Sequence, residues 1–156
     1  MIVSTSRQSL IALLHRATQV ATERFAAAVG DSDLTARQLQ ILDTIEAHDG
    51  PSQTDIVNVT GIDRSTVADI VRRLSKRKLI ERKRSKDDAR AYIVKLTVTG
   101  REALASGGPA LGATEQGLLA ALPVRQRSEL LAMLGKVIAS GEAAKVTKAT
   151  PMTKHG

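Results

Sequence analysis

The apolar residues in the N-terminal part of the chain follow a helical spacing. From about Thr5 to Val29 they recur every three or four positions, which predicts one long amphipathic helix. A capping box formed by Thr5 and Gln8 fits its start, and Gly30 ends it. One face of this helix carries a stripe of apolar side chains: Leu10, Leu13, Leu14, Ala17, Ala21, Phe25 and Ala28.

A second helix is predicted to begin next to Leu34. Thr35 suits its N-cap, and Gln38 stands at the position from which a side chain reaches back to the cap backbone. The apolar spacing continues through Ile45, and Gly50-Pro51 ends the helix.

Two shorter helices follow, separated by a glycine turn. Ser52 is predicted to cap the first, which closes at Gly61, and Asp63 is predicted to cap the second. A helix, a short turn and a further helix form a helix-turn-helix. The buried stripe of the last helix is predicted to be Val67, Ile70, Val71 and Leu74.

Two β-like runs come next, from Leu79 to Arg84 and from Tyr92 to Leu96, joined by the polar loop Ser85–Arg90. Such a pair predicts a β-hairpin. A hairpin directly after a helix-turn-helix corresponds to a wing. The predicted fold is therefore mainly α with a small β-hairpin wing.

The chain after Thr97 again has helical character, first to about Leu122 and then from Pro123 to about Ala139. We expect Gly107-Gly108-Pro109 to bend or break the first of these helices, because proline lacks the amide donor and crowds the preceding turn. Residues 141–156 have little apolar content, and we expect a disordered basic tail there.

These elements predict a single domain over residues 5–140. Within it, residues 34–97 form a winged helix-turn-helix core, and residues 5–30 and 98–140 form helices that flank it. The flanking helices would expose an apolar stripe in a monomer, so we expect them to pack in a symmetric homodimer. The alternative is that both arms fold back on their own core.

The positive charge of the chain is concentrated in one segment. Residues 63–90 contain eleven Lys or Arg and five Asp or Glu, a net of +6, whereas the whole chain carries +7. Charge gathered on a helix, a strand and a loop predicts a surface for a polyanion such as DNA. Phe25 and Tyr92 are the only aromatic residues, which favours duplex DNA, because single-strand binders stack bases on several rings.

Composition also argues against other classes of protein. The absence of cysteine excludes disulfides, thiolate metal sites and cysteine nucleophiles. The three histidines lack ligand spacing, and no catalytic constellation or phosphate-binding glycine loop is present, so neither an enzyme nor a cofactor or metal is expected. No apolar run exceeds five residues, which predicts no membrane span and a cytoplasmic protein.

Several short motifs follow one another along the chain. They are, in order, Leu34-Thr35 with Gln38 and Ile41-Leu42, Asp63 to Val67 leading to Val71 to Leu74, Leu79 to Arg82, Asp88 to Arg90, and Leu96-Thr97 with Gly100. With these motifs the chain, from about Ser9 to Leu134, resembles the MarR family of transcriptional regulators, which are dimeric bacterial winged helix-turn-helix proteins. One departure is Lys78, where family members usually carry glycine; a left-handed lysine there would cost about 1 kcal/mol.

On the fourth helix, the face opposite the buried stripe is predicted to enter the major groove. Arg72 can contact a guanine or a phosphate, and Asp69 can accept from a cytosine or orient Arg72 and Arg73. A merely solvated charged face is the alternative. The full set of predicted DNA contacts is Ser52, Gln53, Thr54, Arg64, Ser65, Thr66, Asp69, Arg72, Arg73, Lys76, Arg84, Lys86, Asp88 and Arg90.

In the wing, Arg90 is predicted to enter the minor groove. The resemblance implies that the Asp88 carboxylate holds the Arg90 guanidinium in place; an ordinary surface salt bridge is the alternative. Arg84 and Lys86 are expected to meet phosphates, as are Ser52–Thr54 at the start of the third helix.

The resemblance also implies a small-molecule effector between the flanking helices and the core. His15, Thr18, Gln19 and Thr22 form a polar line beside the apolar stripe of the first helix, and Arg16 lies nearby. These residues could line an effector pocket, or they could form a solvated flank of the helix.

The function predicted from the sequence is that of a sequence-specific regulator of transcription, a repressor that binds a pseudo-palindromic duplex and is released by a small organic molecule such as an aromatic acid or a thioester. The alternative is a weakly specific architectural DNA-binding protein.

Overall fold

The computed structural model describes residues 9–88 and 90–148, and it is mainly helical with one antiparallel hairpin, as predicted. The chain divides into two compact units, the first ending at Glu115 and the second beginning at Gln116; the single domain over 5–140 stays a prediction. The elements are α1 (Leu10–Ala28), α2 (Ala36–Ala47), α3 (Gln53–Thr60), α4 (Arg64–Lys76), β1 (Ile80–Arg84), β2 (Tyr92–Leu96), α5 (Val98–Leu119) and α6 (Val124–Lys148).

The core of the first unit forms where α2, α3, α4 and the hairpin meet. Each helix contributes one apolar face, and each aliphatic side chain that becomes fully buried contributes about 1.5–3 kcal/mol. The largest fully buried side chains are Leu39, Ile41, Leu42, Ile45, Ile56, Val67, Val71, Leu74 and Val94.

The predicted N-caps of α2, α3 and α4 are confirmed. The Thr35 amide donates to the Gln38 side-chain oxygen at 2.9 Å, and the Gln38 amide donates to the Thr35 hydroxyl at 3.2 Å. Ser52 caps α3 and Asp63 caps α4. The capping box predicted at residues 5–8 lies outside the described residues, and the N-cap of α1 is Ser9.

The hairpin is anchored at its base. Ile80 pairs with Leu96, and both are buried, whereas Arg84 pairs with Tyr92 towards the exposed tip. The amide of Val94 also donates to the Pro51 carbonyl at 2.9 Å, which ties β2 to the loop between α2 and α3. The wing therefore projects from a fixed base next to α4.

The turn after α4 is joined closely to the start of α5. Lys78 has φ 59°, so it adopts the left-handed conformation. This conformation costs a lysine about 1 kcal/mol, whereas glycine, the usual family residue, would adopt it without that cost. The Thr97 amide donates to the Leu79 carbonyl at 3.1 Å, and its hydroxyl donates to the Lys78 carbonyl at 2.8 Å. The Gly100 amide then donates to the Thr97 hydroxyl at 3.0 Å.

Gly107-Gly108-Pro109 was predicted to bend or break the helix after Thr97, and the break is wrong, because α5 continues through Pro109. Gly107 lies against Leu39, where an added Cβ would be 2.8 Å from both leucine methyl groups. This close packing against α2, together with burial of Ala110, keeps the segment helical despite the hydrogen bond that Pro109 cannot make.

The predicted disordered tail also requires correction, because α6 runs to Lys148 and residues 141–148 are therefore helical. Alanine, glutamate and lysine in this stretch are strong helix formers, so low apolar content alone did not imply disorder. Residues 149–156 lie outside the described part of the chain. Among the helices that the structure describes, none is long and apolar enough to cross a membrane.

Candidate nucleic-acid interface

Buried and exposed residues lie on opposite faces of helix α4, as the spacing predicts. Val67, Ile70, Val71 and Leu74 are buried, whereas Ser65, Arg72, Arg73 and Lys76 are exposed and Asp69 is half-buried. The exposed side chains therefore lie together on the face away from the core, where they can approach a ligand without disturbing the packing.

Asp69 organises the two arginines that follow it. Its carboxylate lies 2.5 Å from Arg72 Nη2 and 2.7 Å from Arg73 Nε. The hydrogen bond from Arg72, followed by the charge of Arg73, lowers the pKa of the Asp69 carboxyl, which keeps it ionised. Of the two roles predicted for Asp69, this geometry realises the orienting one. Exposed ion pairs add little stability, so the consequence is a restricted direction for both guanidinium groups.

The N-cap residue of α4, Asp63, binds two short polar side chains in the first turn of the helix, those of Ser65 and Thr66. The Ser65 hydroxyl donates to Asp63 Oδ1 at 2.6 Å, and the Thr66 hydroxyl donates to Asp63 Oδ2 at 2.6 Å. These bonds, together with the one from the Thr66 amide, hold the pKa of the Asp63 carboxyl well below its usual range. Because both hydroxyl protons are engaged, the outward lone pairs suit a base amino group better than a base carbonyl.

At the start of α3 the structure places Ser52 and Asp55 in a reciprocal cap. The Ser52 hydroxyl donates to Asp55 Oδ2 at 2.7 Å, which lowers the pKa of the Asp55 carboxyl. Gln53 and Thr54 occupy the first turn, where helical amides lack intrahelical acceptors. The Asp55 carboxylate already balances part of the positive end of this helix, which reduces the attraction of this end for an anion.

The wing loop differs from the prediction in one contact. The Asp88 carboxylate accepts from the backbone amide of Arg90 at 2.9 Å, and among the described residues no ion pair joins it to the Arg90 guanidinium. A spacing of two residues favours this turn, in which an aspartate binds the backbone ahead of it. The amides of Asp87 and Asp88 donate to the Ser85 hydroxyl at 3.2 and 3.3 Å. Asp88 therefore shapes the loop that carries Arg90.

Three further contacts of basic residues were missed by the sequence analysis. Arg82 and Arg84 place their guanidinium carbons 4.9 and 5.3 Å from the centroid of the Tyr92 ring. The alternation of strand residues puts both arginines on one face, and that pattern could have predicted the cluster. Arg77 at the end of α4 lies 2.5 Å from Asp33 before α2, a contact between distant positions that no local pattern indicates.

A cavity of about 470 Å³ opens between the second half of α1 and the start of α2. Of the residues predicted to bind an effector, only Thr22 lines it. His15, Arg16 and Gln19 are exposed earlier on α1, where the Gln19 amide donates to Glu23 at 2.9 Å. The lining residues are Thr22, Phe25, Ala26, Val29, Gly30, Ser32, Asp33, Leu34, Thr35, Ala36 and Arg37.

Comparison with known proteins identifies relatives over most of the chain. The MarR family profile matches residues 32–91. The HTH-type transcriptional repressor NicR of Pseudomonas putida is 31% identical over 132 residues, which cover 85% of this chain and 84% of that protein.

Solved structures agree with this assignment. Bordetella bronchiseptica BpsR, whose DNA binding is regulated by 6-hydroxynicotinic acid, is 30% identical with a TM-score of 0.78, covering 85% of this chain and 94% of BpsR. The repressor CouR, solved on a 23-mer DNA duplex, is 30% identical with a TM-score of 0.75, covering 88% of this chain and 97% of CouR. Proteins of this family regulate transcription and are not enzymes. This chain belongs to the MarR family of transcriptional regulators.

Proposed function

We propose that the chain is a repressor that binds a specific duplex DNA sequence as a homodimer. The observation that carries this proposal is the exposed face of α4, where Asp69 holds Arg72 and Arg73 in defined directions beside a basic wing. The name of NicR as a repressor and the DNA duplex bound to CouR support it. The predicted contacts on α3, α4 and the wing form the proposed DNA surface.

Exposed apolar side chains support the dimer. On α1, Leu10 is 60% exposed and Ile11 66%, and on α6, Leu131 is 58% exposed and Ile138 59%. Burying such side chains against a second copy contributes about 25 cal/mol for each Å² removed from water. A two-fold symmetric partner also suits a pseudo-palindromic operator, because each recognition helix then meets an equivalent half-site.

We expect binding to a selected operator to weaken steeply as salt is raised. Roughly six to nine phosphate contacts give a slope of log K against log salt of about −5 to −8. Fluorescence anisotropy with an operator selected from genomic fragments measures this slope, and sedimentation measures the dimer. A flat salt dependence, or a stable monomer at micromolar concentration, would defeat the proposal.

Binding to a mixed-sequence duplex of equal length distinguishes the proposed repressor from the alternative function. The net charge of +7 favours a weakly specific architectural protein as the second candidate. Such a protein binds the selected and the mixed duplex alike, whereas a repressor prefers its operator by about a thousandfold or more.

We also propose that a small aromatic acid binds the cavity between α1 and α2 and releases the DNA. The apolar walls around Phe25 and Val29 suit a ring, and Arg37 offers a cationic donor for a carboxylate. The regulation of BpsR by 6-hydroxynicotinic acid supports this class of effector. The predicted polar line around His15 and Gln19 is the competing location.

We expect 6-hydroxynicotinic acid or a related aromatic acid to weaken operator binding. Arg37→Ala should raise the concentration required about tenfold, because it removes a charge-assisted hydrogen bond worth about 1.5–3 kcal/mol. His15→Ala and Gln19→Ala are the matched variants on α1. If these two blunt the response and Arg37→Ala does not, the effector binds on the polar line and the cavity assignment is wrong.

A further inference from the structure

One aromatic ring on the wing contacts two arginine side chains and is partly exposed to solvent. Tyr92 is 43% exposed, although it is one of only two aromatic residues in the chain. It stands directly opposite Arg84 in the hairpin, and Arg82 is two positions earlier on the same strand face. Both guanidinium carbons are within 6 Å of its ring centroid, the range of a cation–π interaction.

The neighbouring side chains on β1 do not neutralise the charge of Arg82. Arg82 has no ion pair with any carboxylate among the residues that the structure describes. The neighbouring carboxylate of Glu81 is bound instead by Lys83 at 2.7 Å, and alternation along β1 puts both of these side chains on the opposite face. The two faces of the same strand therefore differ: one is neutralised internally, and the other presents the Arg82 guanidinium over a ring.

A guanidinium held over a ring keeps its donor edge available. The ring attracts the cation through its face, whereas the hydrogen-bond donors of arginine point outward in the guanidinium plane. A free arginine loses much rotamer entropy when it binds a phosphate, and a side chain already restricted by a ring loses less.

We propose that Tyr92 is a positioning residue that presents Arg82, beside Arg84, to a phosphate of the DNA backbone, which makes Arg82 an additional phosphate contact of the wing. The inference rests on the proposed DNA-binding function. It concerns a contact that reads no base, so it contributes equally on every duplex sequence.

The test uses the full chain and a mixed-sequence duplex, which needs no knowledge of the operator. We expect Arg82→Ala to weaken binding about tenfold and to reduce the magnitude of the salt slope by about one for each wing engaged. The matched control is Lys83→Ala, which removes the same charge from the next position on the opposite face and should change affinity less than about twofold.

The ring is tested separately. Tyr92→Leu should weaken binding about threefold, and Tyr92→Phe, which keeps the ring, should bind like the parent. In the background of Tyr92→Leu, Arg82→Ala should have a smaller effect than in the parent, because the ring acts through that arginine.

The outcomes distinguish a failure of the proposed DNA-binding function from a failure of the inference about Tyr92 and Arg82. A parent protein that binds no duplex at low salt defeats the proposed function. A parent that binds, with Arg82→Ala no weaker than Lys83→Ala, overturns this inference alone. A loss in Tyr92→Phe equal to that in Tyr92→Leu also overturns it, since the hydroxyl and not the ring would then be responsible.

Discussion

Gly100→Ala is expected to destabilise the folded chain by about 3 kcal/mol or more, the largest effect of any single methyl group added to α5. An added Cβ would lie 1.9 Å from the carbonyl oxygen of Leu79 and 2.9 Å from its carbonyl carbon. Both atoms belong to the backbone, so no side-chain rotation relieves the overlap. The start of α5 would have to move away from the turn after α4 and give up the hydrogen bonds of Thr97 to Lys78 and Leu79.

Gly112→Ala provides the control, because nothing lies within 4 Å of a Cβ at that position of the same helix. Helix propensity alone makes glycine-to-alanine changes stabilising by about 1 kcal/mol. Urea unfolding of the two variants, followed by circular dichroism at one fixed protein concentration, should therefore shift in opposite directions. Equal midpoints would show that the close approach at Gly100 is not needed for the fold.

The second large effect is expected on operator discrimination. Arg72→Ala should cost about 1–3 kcal/mol on the best operator and much less on operators substituted at the base that Arg72 reads. The salt bridge to Asp69 directs the guanidinium, so loss of Arg72 removes a fixed contact and not a mobile charge. Lys76→Ala, one turn later on the same face, is the comparison, and it should weaken all operators by a similar factor.

Titration of single-base operator variants gives the result directly. Discrimination should flatten at one position in each half-site for Arg72→Ala and at none for Lys76→Ala. If both variants reduce affinity uniformly, Arg72 binds only phosphate and the base contact must come from another residue of α4.

The wing should show a different signature. Arg90→Ala is expected to weaken binding to all operators of similar A·T content alike, because a minor-groove arginine responds to groove width and charge. Asp88→Ala should produce a milder form of this defect by loosening the loop. Asp88→Asn should bind like the parent, since its amide oxygen can still accept from the Arg90 backbone. If Asp88→Asn fails as badly as Asp88→Ala, the carboxylate charge and not the turn is what matters.

The features predicted correctly from the sequence are local ones. The caps at Thr35, Ser52 and Asp63 involve residues three apart, and the buried stripe of α4 follows from its own periodicity. The missing family glycine at Lys78 indicated where a left-handed residue would carry a cost, and the structure has Lys78 in that conformation. Each of these is decided by interactions within one turn or one helix, which the sequence contains.

The features that were missed depend on contacts between distant segments. Helix α5 survives Pro109 because Gly107 packs against Leu39 on α2. The cavity combines the end of α1 with the start of α2, and the sequence analysis did not predict it. The pairing of Asp33 with Arg77 spans 44 positions and leaves no pattern in the sequence. At these places the prediction was limited by contacts between segments far apart in the sequence, which a local pattern does not encode.

The separation of buried and exposed residues on α4 has an evolutionary consequence. Side chains that hold this helix in place, such as Val67 and Leu74, are almost completely buried, whereas Ser65 and Arg72 contribute nothing to the core. Exposed helix positions and exposed ion pairs contribute little to stability, so substitutions there change it by about 1 kcal/mol or less. Mutations at the outward positions can therefore redirect the protein to a new operator without a prior gain in stability, which leaves duplicated copies of such a gene free to diverge towards different promoters.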